Sequence, residues 1–168
     1  MFNDAHHALS WAYETITRPV VRTSAANHMR QVPTKSVINN LISGLDAYER
    51  NEQAAAIIGL VDRLHSKEAS QYLNARFGRR VELLDVSYLV FLGCAATELG
   101  LGKQGIVYKM VKSYFTGGLT YRDIRRALSC RDQQAILVRS HLFHALDVVH
   151  DRAMGEITEK MKCSGLIR

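Results

Sequence analysis

Only two prolines, Pro19 and Pro33, interrupt a chain of 168 residues along which strict apolar/polar alternation is rare. Proline ends helices because it lacks an N–H donor and its ring clashes with the carbonyl four residues back. From Thr34 to Arg168 that strongest of stops is missing, and apolar residues recur at spacings of three and four. The pattern predicts an all-α chain, and 47% hydrophobic content is enough to give it a real core. The longest apolar-leaning stretch, VSYLVFLGCAA from Val86 to Ala96, falls short of the roughly 20 residues a membrane span needs. The opening MFNDAHHALSW lacks the basic region of a signal peptide, so a cytoplasmic protein without membrane attachment is expected.

Local punctuation divides the chain. Asn3 or Asp4 can cap a first helix that runs to about Thr17, ahead of Pro19. Thr34-Lys35-Ser36 opens a second region, with Ile38, Leu41, Ile42 and Leu45 at helical spacing. Gln53 to Leu64 carries the stripe Ala56, Ile57, Leu60, Val61 and Leu64. Ser66 is placed to cap a helix ending at Phe77, with Gly78 as a left-handed C-cap. Val81 to Leu99 reads as another apolar helix, in which Val86 to Leu92 is the one place a buried strand would fit.

GLGKQG, Gly100 to Gly105, has the form G-x-G-x-x-G, but AATEL before it reads as the last turn of a helix and not as the strand a dinucleotide fingerprint needs. No Ser or Thr follows Lys103, so a phosphate-binding P-loop is excluded as well. An interhelical turn is expected there. It divides a helical body, residues 1–102, from a basic region, residues 103–168.

Catalytic and metal chemistry find little support. Cys94, Cys130 and Cys163 are widely spaced, and His6 and His7 point about 100 degrees apart on a helix. Glu14, Glu82 and Glu98 are scattered, His141 and His144 lie three apart, and His150 and Asp151 are neighbours that diverge on a helix. Neither an enzyme nor a cofactor is expected.

The net charge of +6 becomes informative once it is located. Residues 1–102 hold 10 Lys+Arg and 10 Asp+Glu, and residues 140–168 hold 4 and 4. Lys103 to Arg139 holds 8 basic residues against Asp123 and Asp132, which is the whole excess. Such confinement is the electrostatic footprint of a polyanion-binding element.

Inside that segment, Ile106, Val107, Met110, Val111 and Phe115 mark an apolar helical side, with Lys109 and Lys112 elsewhere around it. Gly117-Gly118 ends that helix, and Thr120 with Asp123 forms the capping box of the next. There Tyr121, Ile124 and Leu128 share one side, Arg122 and Arg126 lie on the other, and Arg125 takes the flank. Ser129-Cys130 breaks the run and Asp132 can begin a further helix. Its stripe is Val138, Leu142, Ala145, Leu146 and Val149, with Gln133, Arg139, Ser140 and His144 off it.

LTYRDIRRALSC followed by VRSHLFHAL resembles the helix-turn-helix of sigma factor region 4 and its relatives. Leu119, Thr120, Tyr121, Asp123, Ile124 and Leu128 match its first half, and Val138, Arg139, Ser140, Leu142, Ala145 and Leu146 its second. Arg125 stands where the family has a small residue, and RDQQAIL lengthens the interval between the halves by about three residues. The resemblance implies double-stranded DNA as ligand, with Arg139 and Ser140 at the family's DNA-reading positions and Gln133 and Gln134 beside them. It also implies the setting of a phage or prophage regulator, such as the late antiterminators of the Q class that engage RNA polymerase.

The expected division of labour places Lys109, Lys112, Arg122, Arg125 and Arg126 on phosphates. Arg131, Gln133, Gln134 and Arg139 are offered to base edges, because Arg pairs bidentately with guanine and Gln with adenine. The first hundred residues would pack the domain, form a homodimer or touch polymerase. The alternative is a helical protein-binding module, such as a phage inhibitor of a host machine, with the arginines as solvated surface.

Overall fold

Asp4 opens the first helix by accepting a hydrogen bond from the His7 backbone N–H at 2.7 Å. The helix α1, Ala5–Thr17, then buries Ala5, Ala8, Leu9, Ala12 and Tyr13, one face at spacings of three and four. The computed structural model describes residues 2–17, 47–78 and 84–168. The expected region from Thr34 to Leu45, the Pro19 stop and the start of the helix expected from Val81 lie outside the described residues.

The second helix, α2, spans Ala47–Asp62 and is longer on its N-terminal side than the apolar stripe suggests. Ile57, Val61 and Leu64 of the expected stripe are buried and Leu60 packs against the core, but Ala54 takes the buried place expected of Ala56, which is exposed. After α2, Ser66 Oγ accepts from Ala69 N and starts α3, Lys67–Phe77, as expected. Gly78 departs from expectation: its φ of −73° is right-handed, because its N–H bonds to Asn74 O at 2.8 Å and prolongs the ordinary ladder.

The expected Val81–Leu99 helix is shorter, with α4 spanning Ser87–Ala96. Leu84, Asp85 and Val86 stay outside it, and Asp85 Oδ1 instead accepts from Ser87 N at 2.9 Å. The remaining orphan donors of the first turn, on Tyr88 and Leu89, bond to Gln71 Oε1 of α3. Val86 to Leu92 is therefore helical where it leaves the turn, not a strand. A short 3-10 turn, Leu101–Lys103, leads into α5, Gln104–Thr116. Gly117 and Gly118 follow at φ 74° and 95°, a left-handed bend that glycine enters without steric cost. Then come α6, Tyr121–Leu128, and α7, Asp132–Cys163.

Seven α-helices and no strand occur among the described residues; an isolated bridge joins Phe2 to Ile167. At 32 residues, α7 is roughly 48 Å long at 1.5 Å per residue. It touches each of the other six helices. Its buried residues Leu142, Leu146, Val149, Ala153, Ile157 and Met161 run through one hydrophobic cluster that also takes in residues of all the other helices.

Close approach is built in at Gly93. A Cβ there would lie 2.6 Å from Leu142 Cδ1 and 2.8 Å from Val107 Cγ1, so α4 meets α5 and α7 with no room for a side chain. Polar links tie the same helices. Tyr114 of α5 donates to Asp147 Oδ1 of α7 at 2.5 Å. That leaves Tyr72 of α3 to donate to the Tyr114 hydroxyl at 3.1 Å. Burial pushes both hydroxyls above the usual tyrosine range, and for Tyr114 the Asp147 carboxylate adds to the shift. At the other end of α7, Glu156 accepts from His65 N at 2.7 Å and fixes the turn after α2.

Candidate nucleic-acid interface

The basic segment occupies α5, α6 and the first turns of α7. Thr120 caps α6 as expected: its Oγ1 accepts from Asp123 N, and Asp123 Oδ2 accepts from Thr120 N at 3.0 Å. The Thr120 hydroxyl, its backbone N–H and the nearby Arg126 and Lys109 hold the Asp123 carboxyl below the usual carboxylate range. The cap therefore sets the axis of the helix that carries the arginines. Ile124 is fully buried and Leu128 packs against the core, which turns Arg122, Arg125 and Arg126 outward.

Ser129 ends α6 in the left-handed region, φ 52° and ψ 38°, where connections of this kind often carry Gly. Three residues, Ser129 to Arg131, separate α6 from α7. The connection is short, and the interval RDQQAIL is helical from Asp132 onward. Gln134 Oε1 reaches back to accept from Arg131 N at 3.2 Å, which commits the oxygen of one expected base-reading amide to closing the helix end.

An open cleft of about 870 Å³ lies along this junction, lined by Thr120, Tyr121, Arg122, Arg125, Arg126, Asp132 and Ile136. Within it Arg125 Nη1 contacts Asp132 Oδ1 at 3.2 Å, with the two side chains 50% and 70% exposed. A solvated pair of this kind is weak. It offsets part of the Arg125 charge, as the nearby Asp123 does for Arg126. Arg131, Gln133, Gln134 and Ser140 are exposed on the early turns of α7, and Lys109 is exposed on α5.

Arg139 has a different setting. It is half-buried, with its guanidinium carbon 4.7 Å from the Tyr121 ring centre and 4.8 Å from that of Phe143. Two ring faces hold one planar cation, a contact that fixes the side chain at the α6–α7 junction. Tyr121, expected on the packing face, is 45% exposed because it serves as one of these faces. Sequence reading missed Tyr121 and Phe143 as partners of Arg139. The Phe143 half was legible as an i, i+4 pair on one helix; the Tyr121 half depends on how α6 folds back.

Elsewhere, His6 lies against Phe77 and His7 against Phe2, with ring centres 5.1 and 5.8 Å apart. Among the described residues, no group of three or more His, Cys, Asp or Glu side chains is placed to hold a metal ion, and no helix is long and apolar enough to cross a membrane. No protein-family model, curated protein or solved structure matches this chain.

Proposed function

We propose that the chain is a DNA-binding regulator of transcription that docks α6 and the start of α7 on a duplex. One observation carries this reading: the whole net charge of +6 falls within Lys103 to Arg139, the segment whose exposed arginines line the open cleft. Polyanion affinity arises from cations gathered on one surface. In this reading Arg122 and Arg126 take phosphates, Lys109 and Lys112 extend the track along α5, and Arg125 does so once its bond to Asp132 opens. Arg131 and Gln133 meet base edges from the first turn of α7, with Ser140 two turns on, while Gln134 has only its amide N–H groups to offer because its oxygen closes the helix end. Arg139, held between its two rings, presents the rest of its donor edge to a guanine.

The resemblance of α6–α7 to sigma region 4 supports RNA polymerase as a further partner, and hence an antiterminator-like regulator of phage origin that acts as a homodimer or through its helical body. A second reading, a helical protein-binding module, draws on Leu137 and Val148, which are 56% and 47% exposed on α7.

An electrophoretic shift measured across salt concentrations separates the two. Duplex binding should weaken steeply, with a log–log slope of about −0.9 per phosphate neutralised. Arg122→Ala combined with Arg126→Ala should weaken all duplexes alike and flatten that slope. Absence of any shift at low salt assigns the chain to the protein-binding reading.

A further inference from the structure

The arginine-lined cleft has one carboxylate on its lining, Asp132, and a negative charge there opposes the gathering of phosphates. The segment from Lys103 to Arg139 has one other acidic residue, Asp123. The cap of α6 accounts for Asp123, whose Oδ2 accepts from Thr120 N at 3.0 Å and from Thr120 Oγ1 at 2.7 Å. Asp132 closes no helix end. Gln134 Oε1 takes the Arg131 N–H, and the Asp132 Oδ1 accepts instead from Arg125 Nη1 at 3.2 Å. The Asp132 side chain is 70% exposed, so burial does not require this pair, and a solvated pair adds little to stability.

Asp132 is the first residue of α7, between Arg131 and Gln133. In a recognition helix that enters a major groove, the first turn is the part that meets base edges. A carboxylate at that point acts twice on an approaching duplex. It repels phosphate oxygens from the end of α7, and it holds the Arg125 guanidinium that would otherwise attract them. Among the described residues its Oδ2 takes no hydrogen bond, and an ionised carboxylate accepts without donating. The groups that satisfy it are therefore N–H donors, and on the floor of the major groove Asp accepts from the N4 amino group of cytosine.

We propose that Asp132 is a specificity-determining residue, which turns the phosphate backbone away from the first turn of α7 and admits a cytosine amino group in its place. This role rests on the duplex reading above and adds to it one base edge that the cleft selects. A negative charge in the first turn also favours the helix through its dipole, but that effect alone would leave the choice among duplexes unchanged.

The test uses the full chain to select duplexes from a random-sequence pool, and then measures affinity for the selected duplexes and for the unselected pool. Asp132→Ala is compared with wild type and with Asp151→Ala, which removes the same charge from an exposed position nineteen residues further along α7. Asp132→Ala should bind the unselected pool more tightly, with a log–log salt slope steeper by up to about 0.9, the contribution of one more phosphate. Its preference for the selected duplexes should fall roughly tenfold, within the range of one base contact. A second selection with Asp132→Ala should lose one C·G pair that the wild type requires, and Asp151→Ala should keep it. An unchanged preference in Asp132→Ala, or an equal fall in Asp151→Ala, overturns the role of Asp132 and leaves duplex binding in place. So does wild-type binding that enriches no sequence, or a loss on all duplexes alike that follows a lowered melting temperature. Absence of any duplex binding by the wild type at low salt overturns the duplex reading together with it.

Discussion

From Leu142 to Met161, α7 buries Leu142, Leu146, Val149, Ala153, Ile157 and Met161, whereas from Asp132 to His141 it buries Ala135 alone. The two stretches belong to one unbroken helix. Helices α1 to α4 surround the buried stretch, while α6 and its arginines meet the exposed one. The core thus holds the axis of α7 so firmly that its first three turns can carry Gln133, Gln134, Arg139 and Ser140 without contributing much burial of their own. Rigidity comes from one end and polar chemistry from the other.

Leu146 lies within the buried stretch and is itself fully buried. Leu146→Ala should cost roughly 2 to 5 kcal/mol in urea unfolding, from lost transfer energy plus the cavity left behind. A cost under about 1 kcal/mol would mean that the later half of α7 is not the anchor. Gly93→Ala asks the same of the close approach by α4. With Leu142 and Val107 within 3 Å of the new methyl, it should destabilise by roughly 1 to 3 kcal/mol, and an unchanged melting temperature would show that the helices can part without penalty.

Arg139→Ala probes the exposed half. In a competition assay it should cost roughly 1 to 3 kcal/mol of affinity for a preferred duplex site and much less for random duplex. Its cost in folding stability should be smaller, since only the two ring contacts are lost. Equal losses on both duplexes would make Arg139 a backbone contact; a loss confined to stability would make it a staple between α6 and α7.

The smallest effect is expected at the cap of α6. Thr120→Ala should cost about 1 kcal/mol at neutral pH. The folded Asp123 carboxyl is held below its usual range by the Thr120 hydroxyl and N–H. The stability from that contact is complete above the unfolded value of about 3.9 and is lost as pH falls through the lower folded value. The gap between wild type and Thr120→Ala should therefore narrow in acid; a gap as wide at pH 3 as at pH 7 would credit the Thr120 oxygen alone.

Much of this molecule was decided within three or four residues along the chain. Asp4, Ser66 and the Thr120–Asp123 box start their helices where local hydrogen bonding predicts, and the Gly117-Gly118 bend ends α5 where a left-handed backbone is cheapest. The location of the charge excess was equally legible, because it is a property of composition. Tertiary structure decided what depends on residues distant in sequence. It buried Ala54 of α2 in place of Ala56, kept Gly78 right-handed, and capped α4 from Gln71 of another helix. It also placed Tyr121 over Arg139 and drew Tyr88, Phe91 and Tyr108 around one groove. Periodicity gives each helix a face, but the neighbour that covers it is chosen by the packing of the whole chain.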